Sequence, residues 1–193
     1  MRKRLTLLTA VVVASLIAAV AAWAGNPHFL RFDDPELVYL GSSAATADST
    51  FKAAATAADS TATGDPRVLI DNIVVSGVKE GVTVSLTAQF EAIYVCVNGG
   101  DNVPSAENKT TFVGELSATA EFPAARNGRA TGSLLTGPVP SSAEAAAATG
   151  FSCPSGQVLE FDRVIFFGLV LTVEGGEILP LDDTLVSDSV HGL

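Results

Sequence analysis

The chain has 193 residues, 48% of them hydrophobic, with two cysteines, two histidines and a formal net charge of −10. That length suits one domain with a real core, and the acidity argues against nucleic acid or an anionic lipid surface as partner, since both select patches of Lys and Arg. Two cysteines and two scattered histidines make a poor metal site, so the reading carries no metal and no cofactor.

Residues 1–24 have the form of a signal peptide. Arg2, Lys3 and Arg4 precede an apolar run over 5–22 that only Thr6, Thr9 and Ser15 interrupt, and Ala22-Trp23-Ala24 fits the small-x-small cleavage rule. Cleavage after Ala24 removes three positive charges and takes −10 to −13. The alternative is an uncleaved anchor, because about 18 apolar residues approach the length of a bilayer span. No cysteine follows the run to carry a lipid, so the expectation is a secreted, extracellular protein with no stable membrane insertion after cleavage. In an exported chain, Cys96 and Cys153 most simply form a disulfide.

Residues 25–40 read as an N-terminal strand segment, interrupted by the turn at Asp33-Asp34-Pro35. Residues 41–66 are almost wholly Ala, Thr, Ser, Asp and Gly, and include two near-copies that each end Asp-Ser-Thr. Such a composition buries little surface and predicts a flexible insertion, with a weak edge strand around 50–58 as the alternative.

The β-sandwich core is expected over 67–183. Residues 68–75 are β-branched and apolar on both faces, which predicts a central strand; the turn from Ser76-Gly77 to Gly81 is short enough for a hairpin. From Val82 to Cys96 every even position is apolar, while Thr83, Ser85, Thr87, Gln89 and Glu91 occupy the odd ones. That period of two marks a strand with one buried face, and Val95 and Val97 predict burial of both faces at its end. The Cys96 sulfur then points into the core.

A loop follows at Asn98-Gly99-Gly100-Asp101-Asn102 and Pro104. Alternation resumes over 109–122, with Phe112, Leu116, Ala118, Ala120 and Phe122 on one face, and Asn127-Gly128 signals a two-residue turn. Ser141 and Glu144 have capping-box spacing before an alanine run that Gly150 can end, which predicts a short surface helix. Cys153-Pro154-Ser155-Gly156-Gln157 leads into the longest strand candidate, where Leu159, Phe161, Ile165, Phe167, Leu169, Leu171 and Val173 share the odd phase with Cys153. The opposite phase of this strand carries Glu160 and Asp162 early but Val164, Phe166 and Val170 later, which predicts burial on both sides. Gly168 marks a bulge in it. A short strand at Ile178 and Leu179 precedes an end, 184–193, that is expected to fray.

These segments predict an all-β fold, an antiparallel two-sheet sandwich of immunoglobulin-like architecture. It is not an antibody-type domain, because Trp23 leaves with the signal and Tyr94 precedes the first cysteine rather than the second. The disulfide would add about 4 kcal/mol on the chain-entropy model.

Catalytic signals are thin. His28 and His191 lie near opposite ends of the chain and no Gly-x-Ser-x-Gly elbow accompanies them. Glu91, Glu115, Glu121 and Glu160 sit on strand faces expected to be solvated, and the pairs Asp33-Asp34 and Asp182-Asp183, with Asp101, lack calcium-loop spacing. The expectation is a protein that is not an enzyme.

The spaced combination of Cys96-Val97-Asn98-Gly99-Gly100-Asp101-Asn102, Pro104, Asn108-Lys109, Asn127-Gly128 and Cys153-Pro154-Ser155-Gly156-Gln157 resembles a group of small, uncharacterised secreted proteins frequent in actinobacteria. In that group a cysteine is followed by Asn and a Gly pair, and a later Cys-Pro-x-Gly-Gln closes the motif. The resemblance covers 26–28 and 67–183, departs at 41–66, and implies export and a β domain without an activity.

The functional expectation is a secreted, non-catalytic domain that contacts a macromolecule of the cell envelope or the medium. The alternative is a carbohydrate or small-ligand module that uses Asn98, Asp101, Asn102, Lys109 and Arg129 in the loops at 98–109 and 127–129. Tyr39 and Tyr94, the only tyrosines, are thin provision for sugar stacking.

Overall fold

The computed structural model describes residues 26–40, 65–99, 108–125 and 127–191. The expected signal peptide, residues 41–64 of the insertion, and Asp101 and Asn102 lie outside them. The described residues form β1 (His28–Arg31), β2 (Glu36–Leu40), β3 (Asp65–Ser76), β4 (Val82–Asn98), β5 (Lys109–Phe122), β6 (Arg129–Leu135), α1 (Ser142–Thr149), β7 (Gln157–Val173), β8 (Ile178–Leu181) and β9 (Leu185–Val186). Asp65 and Pro66, read as the end of the insertion, already belong to β3 and pair with Leu40 and Tyr39.

Two antiparallel sheets make the sandwich. In sheet A, β3 is central, with β1 and β2 on one edge and β6 on the other; sheet B has the order β5-β4-β7-β8, with β9 also on β7. The inward faces share one core, in which Val68, Ile70, Ile73 and Val75 of β3 meet Leu86 and Phe90 of β4 and Phe166 and Leu171 of β7. Burying a Leu, Ile or Phe side chain contributes about 1.5–3 kcal/mol, so these long apolar faces dominate the stability. The central-strand reading of β3 holds, since 66–70 and 73–75 are buried without alternation. So does the change along β4, where Tyr94, Val95, Cys96 and Val97 are all buried.

The edge of sheet A formed by β1 and β2 is broken. Arg31 pairs with Val74 and Glu36 with Leu69, so β1 and β2 follow one line along β3, with Asp33-Asp34-Pro35 in the gap. Facing that gap is Asn72, which adopts a φ of 51°, a conformation Asn tolerates better than most residues. Polar side chains hold the break: the Asp33 amide donates to the Asp71 carbonyl (3.0 Å), the Asn72 side chain donates to the Asp33 carboxylate, and Ser133 donates to Asp71.

Strand β7 corrects the phase read from sequence. Against β4 it carries an extra residue at Asp162, and two residues, Gly168 and Leu169, oppose Ala88 alone. Gly168 has a φ of 57°, so the bulge expected there is present. Each bulge moves the side-chain phase by one. Leu159 and Phe161 face the core, then Val164 and Phe166, then Leu171 and Val173; Ile165 and Phe167, expected inside, turn to the outer face.

The hairpin expected after Ser76 is a crossing. β3 and β4 lie in different sheets, because Val78 enters the core and its amide donates to the Gly128 carbonyl (3.2 Å), drawing the chain across instead of back. The turn expected at Asn127-Gly128 is present, with the Gly128 amide donating to the Ala125 carbonyl (3.1 Å), and it leads from β5 into β6 of the other sheet across a corner bridged by Ala124 and Ala130.

The helix is the one predicted. Ser141 caps it, with both bonds of the capping box present, and Gly150 closes it at a φ of 68°. Its inner residue Ala145 is fully buried in the core, so α1 plugs one end of the sandwich. Residues 184–193, expected to fray, are tied down as far as His191. Leu185 and Val186 pair with β7, Ser187 exchanges bonds with Val164, and Asp162 receives the Ser189 hydroxyl (2.6 Å) and the His191 amide (3.1 Å).

Candidate functional site

Strand β4 runs the length of the sandwich, about 50 Å for 17 residues at the usual rise. What sits at its two ends is therefore far apart. Cys96, Asn98, Asn108, Lys109, Cys153 and Gln157 gather where β4 finishes, because Val95 pairs with Lys109 and Asn98 with Gln157. Arg129 is at the other end, where it pairs with Ser76 while Val82 pairs with Phe122. Asn98 and Lys109 are therefore far from Arg129, and Asp101 and Asn102 lie outside the described residues. Of the candidate ligand residues, Asn98 and Lys109 share an end and Arg129 does not.

The first end is built around the disulfide. Cys96 and Cys153 are bonded, with Cα atoms 5.6 Å apart; Cys96 is fully buried in β4. Cys153 is not in a strand, as its phase with Leu159 suggested, but in the loop before β7. The Gln157 amide donates to the Pro154 carbonyl (3.1 Å), and Gly156 at a φ of 83° allows the turn that folds Cys153 back over β4. Since β4 and β7 are neighbours in sheet B, the bond clamps a loop to its own sheet instead of joining the two layers. Asn108 completes the clamp. Its carbonyl accepts from the Cys96 amide (2.8 Å) and its side chain donates to Gln157 Oε1 (3.3 Å).

Helix α1 closes the same end from the core side. The fully buried Tyr94 donates its hydroxyl to the Pro140 carbonyl, and its ring meets Phe161 edge-on at 5.8 Å between centroids. Burial, reinforced by the negative charges of Glu144 and Asp65, pushes the Tyr94 phenol up to about 12. The bonds that Glu144 receives from the Ser141 hydroxyl (2.7 Å) and amide (2.8 Å) hold its carboxyl below the ordinary range.

At the opposite end β1 brings His28 beside Ser76, whose hydroxyl lies 2.8 Å from Nε2. His28 Nδ1 is 3.0 Å from the Asn26 carbonyl, which can only accept, so Nδ1 carries a proton and in the neutral ring Nε2 accepts from Ser76. The pair is exposed. Its approach was illegible in sequence because the two residues are 48 positions apart. His191 belongs to the other end, 3.5 Å from Glu160, and the hydroxyl nearest to it in the chain, Ser189, is turned to Asp162. Asp162 itself is buried at the bulge and serves as the anchor of the C-terminal segment.

Of the carboxylates weighed for glycoside chemistry, only Glu91 and Glu115 are neighbours, diagonal across β4 and β5. Glu91 and Glu115 lie on the outer face of sheet B, Glu121 further along β5, and Glu160 beside His191. Among the described residues no group of three His, Cys, Asp or Glu is placed to hold a metal ion, and no helix is long and apolar enough to cross a membrane. No protein-family model, curated protein or solved structure matches the chain, and its site is read from its own geometry.

Proposed function

We propose that the protein is secreted and non-catalytic, and acts through surface contacts with a macromolecule of the cell envelope or the medium. One observation carries this reading: at the disulfide end Asn108 and Gln157 are bonded to each other, while among the described residues the broad outer face of sheet B stays open. On that face Val113, Val158 and Val186 are 57–64% exposed among threonines and glutamates. Exposed aliphatic side chains on a rigid sheet are what a contact surface offers a partner. The disulfide and the signal-like residues 1–24 support export.

Capture from the native culture medium on the immobilised chain tests the reading. Specific retention of an envelope or medium component, weakened at least tenfold by Val158→Asp, is expected. A hydrolase or oxidoreductase activity in the purified protein that a single change such as Ser76→Ala abolishes would overturn it.

A further inference from the structure

Two of the four sheet edges are interrupted and a third is short. The β1–β2 edge breaks at Asp33-Asp34-Pro35, the β8–β9 edge carries Pro180 and breaks at 182–184, and β6 is seven residues long with its start bridged by the β5–β6 corner. Such breaks are how proteins discourage strand addition. The fourth edge is different. β5 has 14 residues, no proline, and one unshifted register against β4 from Lys109 to Phe122. Among the described residues no strand pairs with its far side.

The direction of its backbone groups follows from one bond. The Cys96 amide donates to the Asn108 carbonyl, so residues whose numbers sum to 204 and are even form the hydrogen-bonded pairs with β4. The odd residues, Lys109, Thr111, Val113, Glu115, Ser117 and Thr119 among them, therefore aim their amides and carbonyls outward. All of these are exposed.

We propose that this edge pairs antiparallel with the same edge of a second copy of the chain, centred on Val113. The inference rests on the reading of the protein as a contact module and gives that module a partner. Self-complementarity chooses the register. With Val113 opposite Val113 of the second copy, Thr111 faces Glu115, Lys109 faces Ser117, and each Lys109 lies diagonal to a Glu115 of the other copy. Val113, 63% exposed in the single chain, then meets an identical side chain. A register two residues further along would put Glu115 opposite Glu115, with like charges in contact. Over 109–117 the pairing makes about ten backbone hydrogen bonds, two for each of five facing odd pairs.

Sedimentation equilibrium of the full exported chain, with cross-linking variants, tests this. A mass twice that of the single chain is expected. Lys109→Glu should weaken association at least tenfold, and adding Glu115→Lys to it should restore it. Facing residues of a hydrogen-bonded pair have Cα atoms about 5.5 Å apart, within disulfide reach, so Val113→Cys should cross-link two copies on mild oxidation while Glu121→Cys does not. A single-chain mass at every concentration, or cross-linking of Glu121→Cys as fast as Val113→Cys, overturns the inference. Capture of a component from the medium by that single chain would leave the contact reading standing without it.

Discussion

One end of the sandwich is held by a covalent bond between residues 57 positions apart, and the other by hydrogen bonds between a strand and a turn 148 positions later. At the first, Cys96, Cys153, Asn108 and Gln157 form a clamp, and α1 seats Ala145 and the Tyr94 hydroxyl against the core. At the second, the Phe29 amide donates to Glu177 (2.8 Å), the Glu177 amide returns a bond to the Pro27 carbonyl (3.2 Å), and Ser76 meets His28. A cross-link acts on the unfolded chain, where it removes conformations; the hydrogen bonds act only on the folded one, and water competes for them. The ends should therefore fail differently.

The largest effect is expected from Cys96→Ser with Cys153→Ser. Opening a loop of 57 residues costs about 4 kcal/mol on the chain-entropy model, and urea denaturation should show the loss as a lower midpoint. Glu177→Ala should cost about 1–2 kcal/mol, because it removes a charged acceptor from a half-buried amide. Hydrogen exchange should then quicken in β1 while β4 and β7 stay protected. If β4 loses protection as well, the two ends are one cooperative unit.

At the disulfide end, Ser141→Ala should cost about 1 kcal/mol through the lost cap. The same cap predicts an acid limb. The folded Glu144 carboxyl lies below its ordinary range, so its contribution is present above the unfolded value near 4.5 and is lost as pH falls through the folded one. Thermal melts from pH 6 down to pH 3 should show that limb flattened in Ser141→Ala. The smallest effect at neutral pH is that of Tyr94. Its phenol is raised from 10.0 to about 12, so the stability it contributes is intact below pH 10 and disappears as pH rises toward 12. Tyr94→Phe should remove that alkaline loss, and absorbance titration of the wild type should show both tyrosines ionising above the ordinary range, Tyr94 last.

Local pattern made much of this legible. The alternation of 82–96 is β4, the capping box from Ser141 to Glu144 is α1, and the glycine expected to mark a bulge does so. What failed shares one cause. Phase along β7 was carried through Asp162, whose bulge leaves no local mark because its partners, Ser189 and His191, are 27 and 29 residues away. The turn after Ser76 has a length that serves a hairpin or a crossing equally, and the core packing of Val78 selects the crossing. For the candidate site, Asn98 and Lys109 are neighbours through hairpin pairing, while Arg129 is carried to the far end by the length of β5.

From composition and periodicity alone came the β class, the burial of Cys96, the cap of α1 and the pairing of the only two cysteines, because each depends on residues close in sequence or on there being no other partner. Tertiary structure alone decided which strands share a sheet, where β7 changes phase, which end each loop occupies and that the β5 edge is left unbroken. Those outcomes depend on bonds between distant residues, whose free energies are set by the neighbours that folding brings together and not by the pattern of either segment.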